Sequence, residues 1–158
     1  YPLLTATDKR FRYVRDQILG PAAYGDIMDG MIERSGSIEE LSSSLWMKNE
    51  DLLEMAKDGH ELGLHSYTHP TVLGEMTPQE QQSEYSRNVE HLEELLGVRP
   101  VSLSHPCNSY TGDTLDVLGK LGVTMGFRAN IVEKGQSSLE FVREDHSNII
   151  NMMKGAAR

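Results

Sequence analysis

Between Asn49 and Phe127 the chain repeats one succession of elements: a short apolar stretch, a polar loop and an amphipathic helix. Glu61-Leu62-Gly63-Leu64-His65 is the first stretch. The helix after it begins at Thr77-Pro78-Gln79-Glu80, a capping-box spacing with proline at the first helical position. It carries Tyr85, Val89, Leu92 and Leu96 on one stripe before Gly97 and Pro100 stop it. Val101-Ser102-Leu103-Ser104 repeats the apolar stretch, and a helix from Gly112 to Leu121 buries Leu115, Leu118 and Leu121. Val123 to Phe127 is a third strand and Leu139-Glu140-Phe141-Val142 a fourth. Such alternation predicts an α/β fold with a parallel sheet, in which ligands gather at the carboxyl ends of the strands. His65, His69 and His105 all fall there.

A helix precedes this pattern, capped by Asn49 and ended by Gly59. The first third has no buried-strand pattern. Phe11, Val14 and Ile18 make one helical stripe and Tyr24, Ile27, Met28, Met31 and Ile32 another, broken at Gly20-Pro21. A short helix over Ile38 to Leu45 follows, and Met28 and Met31 are read as core packing.

The 158 residues suffice for one domain, and the sequence is read as a single domain over 1–158. A net charge of −9 excludes a non-specific nucleic-acid surface. No apolar run approaches a membrane span and no basic-then-apolar leader opens the sequence. The single cysteine, Cys107, excludes an internal disulfide framework and fits a cytoplasmic setting.

The chemistry centres on His65-Ser66-Tyr67-Thr68-His69-Pro70. Two imidazoles four residues apart on a turn can point to one side and begin a zinc site, which then needs a third ligand. The alternative is a surface pair that caps a helix or satisfies a loop.

The run from Gly59 to Pro70 resembles the metal-binding histidine motif of the polysaccharide deacetylases with the NodB homology domain. The likeness continues through Met76-Thr77-Pro78-Gln79-Glu80, Leu95-Leu96-Gly97-Val98-Arg99-Pro100, Leu103-Ser104-His105-Pro106-Cys107-Asn108-Ser109-Tyr110 and Leu121-Gly122-Val123. About half the chain, from Leu45 to Phe127, follows the pattern. The resemblance implies a distorted (β/α) barrel of the NodB type and a divalent metal, usually zinc, with His65 and His69 as ligands. It implies hydrolysis of an N-acetyl group on an amino sugar, a carbohydrate substrate. The backbone of Pro106-Cys107 then meets the substrate as an oxyanion donor, and His146 stands where the family has a late general-acid histidine.

The chain departs from that pattern in three places. The family's adjacent Asp-Asp pair, which supplies a base and the third ligand, is absent. The nearest stand-in puts Asp8 at the ligand position and Thr7 at the base position. A better account begins the sequence just after the second strand, so that the domain is incomplete at its N-terminus. The exposed barrel edge then invites association, which leaves a homo-oligomer open. Ser104 stands where an arginine is common in the family. His105, which follows it, either faces the site as a hydrogen-bond donor or packs at the strand end. The cluster Arg143-Glu144-Asp145-His146 is either the general-acid region or a solvated turn before a helix. His60 is read as structural.

Three functions follow: a metal-dependent de-N-acetylase, a metal-dependent amidase on a small non-sugar amide, or a non-catalytic remnant that binds carbohydrate or a partner chain.

Overall fold

The computed structural model describes residues 5–132 and 137–156. They fall into two compact units, Tyr1–Lys48 and Asn49–Arg158.

The first unit is helical. Helix α1 (Ala6–Tyr13) starts at Thr5, whose side chain and that of Asp8 cap each other's backbone N–H groups. It runs through a π-helical stretch (Val14–Leu19) into α2 (Gly20–Ser35), the break falling at Gly20 with φ 71°. Helix α3 (Ile38–Leu45) has its own capping box from Ser37 and Glu40. These are the helices expected from the two stripes. The core role expected of Met28 and Met31 is corrected: no residue of α1 or α2 is buried, and Met31 is half exposed. The two stripes meet at the Phe11 and Tyr24 rings, edge to face with centres 6.4 Å apart, while Phe11, Val14, Ile18, Ile27 and Met31 stay largely exposed.

The second unit holds the core. Helix α4 (Asn49–Lys57) ends in a Schellman turn: His60 N–H bonds Met55 carbonyl, Gly59 N–H bonds Ala56 carbonyl, and Gly59 has φ 91°. Asn49 opens that helix. Helix α5 (Pro78–Leu96) begins at the Thr77–Glu80 capping box and stops at left-handed Gly97. Strand β1 (Ser102–Ser104) lies parallel to β2 (Met125–Phe127), and α6 (Gly112–Lys120) connects them. Helix α7 (His146–Ala156) closes the described chain.

Leu64 and Phe141 extend the two-stranded sheet as single parallel bridges, Leu64 to Leu103 and Phe127 to Phe141. In space the order is Leu64, β1, β2, Phe141, the same as in sequence. Parallel neighbours in sequence order, joined by helices, are how one arc of a (β/α) wall is built. Among the described residues the arc stays open and no barrel closes, since closure takes about eight strands. The strands expected over 61–65 and 139–142 shrink to bridges for local reasons. Ser66, at φ 62°, turns the first away, and the Leu139 carbonyl is drawn to the His105 ring.

Leu64, Leu73, Tyr85, Val89, Leu92, Leu103, Val117, Leu118, Val123 and Leu139 form the core cluster. Tyr85, Val89 and Leu92 of the predicted stripe face it. Buried Gln81 and Thr114 are bonded to each other: Thr114 Oγ1 donates to Gln81 Oε1, and Gln81 Nε2 donates to the Met76 carbonyl. That chain ties α5 to α6 and fixes the loops at one end of the sheet.

Candidate functional site

All four non-glycine residues with positive φ among the described residues are Ser66, His69, Cys107 and Asn108. They lie in the loops that leave Leu64 and β1 at the carboxyl ends of those segments. Left-handed backbone on a side-chain-bearing residue costs about 1 kcal/mol or more and persists only where the surroundings impose it.

In the first loop the enforcing group is Glu84 on α5. Its carboxylate accepts from Tyr67 N–H at 3.1 Å, Thr68 N–H at 2.8 Å and the Thr68 hydroxyl at 2.9 Å. Asn88, one turn further along α5, accepts from His65 N–H at 3.0 Å. Arg87 stacks over the Tyr67 ring, 4.0 Å from its centre. One helix thus holds the histidine loop at His65, Tyr67 and Thr68. The sequence pattern of that helix shows only its apolar stripe; the signal for Glu84 is a carboxylate adjacent to buried Tyr85.

The result brings His65 and His69 together, with ring centres 4.9 Å apart and planes at 56°. His65 Nδ1 lies 2.7 Å from the Ser104 carbonyl. A carbonyl only accepts, so Nδ1 carries the proton and the Nε2 lone pair is free for a ligand. Desolvation holds the His65 pKa below the ordinary 6.5, with His69 and Arg143 acting in the same direction and the Ser104 bond opposing them. That direction favours the neutral ring, the form in which an imidazole binds a metal. Two imidazoles on one tetrahedral ion at about 2.0–2.1 Å hold their ring centres about 5 Å apart, so the pair fits a divalent metal. Among the described residues no group of three or more His, Cys, Asp or Glu side chains is placed to share an ion. Asp8, the stand-in third ligand, uses its carboxylate to accept from the N–H and hydroxyl of Thr5 in the α1 cap, which lowers its pKa.

His105 is buried. Its Nε2–H donates to the Leu139 carbonyl at 2.8 Å, and its ring stacks on Tyr110 with centres 4.0 Å apart. Nδ1 is buried with no hydrogen-bond partner among the described residues, and desolvation lowers the ring's pKa. The ring is thus packed at the end of β1 between Tyr110 and the Leu139 carbonyl. Tyr110 donates to Glu140 at 2.9 Å, and burial, reinforced by that carboxylate, pushes the phenol up to about 12. Pro106 and Cys107 form a 3-10 turn after β1, Pro106 buried and Cys107 half-buried.

His146 is exposed at the start of α7, with Nδ1 3.6 Å from Asp145. A cavity of about 370 Å³ is lined by Ala129, Arg143, Glu144, Asp145 and His146. A larger one, about 530 Å³, lies along the sheet from Glu61, Ser102 and Met125 at the strand starts to His65, Ser104, Phe127 and Arg143 at their ends. Arg143 borders both, and its Nη1 donates to Ser104 Oγ at 3.1 Å. By sequence Arg143 is only one member of the charged cluster Arg143-Glu144-Asp145-His146. Its link to Ser104 spans 39 positions and has no sequence signal.

Comparison with known proteins places this geometry in a wider set. The family model described as polysaccharide deacetylase matches residues 28–126. The chain is 32% identical over 74 residues to the uncharacterized protein YlxY of Bacillus subtilis (strain 168), a stretch covering 46% of this chain and 23% of that protein. The structure is similar to the Streptococcus pyogenes deacetylase PplD in complex with acetate, at a TM-score of 0.59 and 20% identity, over 73% of this chain and 54% of that one. It is similar also to the BpsB deacetylase domain from Bordetella bronchiseptica, at 0.54 and 18%, over 63% and 48%. The chain thus spans about half the length of the solved structures it matches and less of YlxY.

Proposed function

The chain belongs to the polysaccharide deacetylase family, and from that membership we propose that it serves a metal-dependent hydrolase that removes N-acetyl groups from an amino-sugar glycan. The observation that carries the reading is the His65–His69 pair, 4.9 Å apart with the His65 tautomer set by Ser104. His65 and His69 would hold the ion, most suitably zinc for two imidazoles. Bound there, a divalent ion supplies Lewis acidity toward an amide carbonyl and lowers the pKa of water.

The chain's own residues do the positioning. Glu84 and Asn88 hold the histidine loop, and Ser104 orients the His65 ring. The larger cavity offers room for a sugar beside His65, and the Pro106–Cys107 turn follows directly from β1. His146, exposed on the neighbouring cavity, is the histidine open to give a proton to a leaving amine. The open parallel arc supports a barrel of the NodB type as the fold this wall belongs to. The S. pyogenes relative is in complex with acetate, the product of such a reaction.

One observation favours a second reading, a non-catalytic member that binds carbohydrate or a partner chain: among the described residues no carboxylate joins the histidine pair. Acetate release from N-acetylated amino-sugar polymers, with and without a chelator, separates the two. Chelator-sensitive release supports the hydrolase. Polymer binding without release supports the second reading. A cytoplasmic setting belongs to the proposal as well, resting on the single cysteine.

A further inference from the structure

Arg143 is the only Lys or Arg among the described residues lining the larger cavity, which it borders at its His65 end. It reaches that place from the segment before α7, where Nη1 donates to Ser104 Oγ. The same Ser104 accepts the Nδ1–H of His65 through its carbonyl. One residue of β1 therefore fixes both groups, the imidazole through its backbone and the guanidinium through its side chain. Among the described residues Arg143 forms no ion pair with a carboxylate, although Glu61 lines the same cavity and Glu144 and Asp145 follow it in sequence. The Glu144 carboxylate is engaged by Asn148 Nδ2 at 2.6 Å and by Asp145 N–H at 3.1 Å. A guanidinium has five donors in a planar fork; Ser104 takes one, so a two-pronged face remains for a planar anion. In a chain of net charge −9, an anchored cation beside His65 is a specific feature.

We infer that Arg143 is the carboxylate-binding group of this cavity, taking a carboxylate as one end of the ligand lies beside His65. The inference deepens the deacetylase reading and rests on its site. The carboxylate can come from released acetate or from an acidic sugar next to the acetylated one, and the two sources can be told apart. The chain and its Arg143→Ala, Arg143→Gln and Arg143→Lys variants are titrated by NMR with acetate, glucuronate and neutral N-acetylglucosamine, both metal-free and zinc-loaded.

Loss of a bidentate charged pair weakens the favoured carboxylate about tenfold or more in Arg143→Ala and Arg143→Gln, with partial recovery in Arg143→Lys. N-acetylglucosamine binding and zinc content stay unchanged. Acetate as the affected probe points to product; glucuronate points to an acidic substrate. Equal carboxylate affinity in wild type and Arg143→Ala, or no carboxylate binding by wild type, overturns the inference. Zinc loss in Arg143→Ala overturns it too, since Arg143 would then support the metal pair only. If no variant holds zinc, the metal reading falls by itself, while the metal-free titration still reads Arg143.

Discussion

The carbonyl oxygen of Ser104 accepts the Nδ1–H of His65 at 2.7 Å, across 39 positions of sequence. This bond converts a loop histidine into an oriented one, because it fixes the tautomer and aims Nε2 away from the strand. It also depends on the pairing of Leu64 with β1, where Leu64 N–H bonds Ser102 carbonyl and Ser104 N–H bonds Leu64 carbonyl. The site is an outcome of the sheet edge.

Glu84 is expected to be the main support of the histidine loop. Glu84→Ala leaves the Tyr67 and Thr68 N–H groups without their acceptor and should cost about 2–4 kcal/mol of stability. Urea unfolding measures this. Glu84→Gln should lose less, since an amide keeps one acceptor oxygen. A loss under about 0.5 kcal/mol in both variants would contradict the role assigned to Glu84.

Gly126 sits on β2 where an added Cβ would run into the Leu139 carbonyl. Gly126→Ala should destabilise by about 1–3 kcal/mol through overpacking. Because the His105 ring donates to that same carbonyl, the substitution should also shift the His105 ring signals in NMR. Gly97→Ala, with no such neighbour but a left-handed backbone at φ 70°, should leave the His105 signals in place.

Acid should weaken the fold through the histidines. Burial lowers the pKa of His105, and desolvation lowers that of His65, both from 6.5. The unfolded chain then takes up protons near its ordinary value while the folded chain does not. Stability is therefore full above 6.5 and is lost as pH falls through the lowered folded values. The urea midpoint should drop between about pH 7 and pH 5, and His105→Gln should flatten that slope. A slope unchanged by His105→Gln would contradict the burial of a neutral ring.

Much of this fold was legible in the sequence because its signals are local. The Thr77–Glu80 box, the stripe Tyr85–Val89–Leu92, Gly59 and Gly97 each act within a turn or two of helix, and each is where the periodicity put it. The histidine loop was legible as a motif, and the structure does bring its two rings together. What was not legible depends on distant pairing. The outer strands dwindled to single bridges at Leu64 and Phe141, since apolar alternation cannot say how many hydrogen bonds an edge will make. The roles of Ser104, Glu84 and Arg143 come from contacts 16 to 39 positions apart, which no spacing rule reaches. The expected fate of Met28 and Met31 failed for a related reason: a stripe predicts an apolar face, and its cover must come from elsewhere.

The central claim is that His65 and His69 hold one divalent ion, and zinc retention tests it most directly. After zinc loading and exhaustive dialysis, the chain is expected to keep about one zinc per molecule by elemental analysis. The His65→Ala, His69→Ala double variant should keep almost none while remaining folded by circular dichroism. Equal zinc content in the two proteins would contradict the claim.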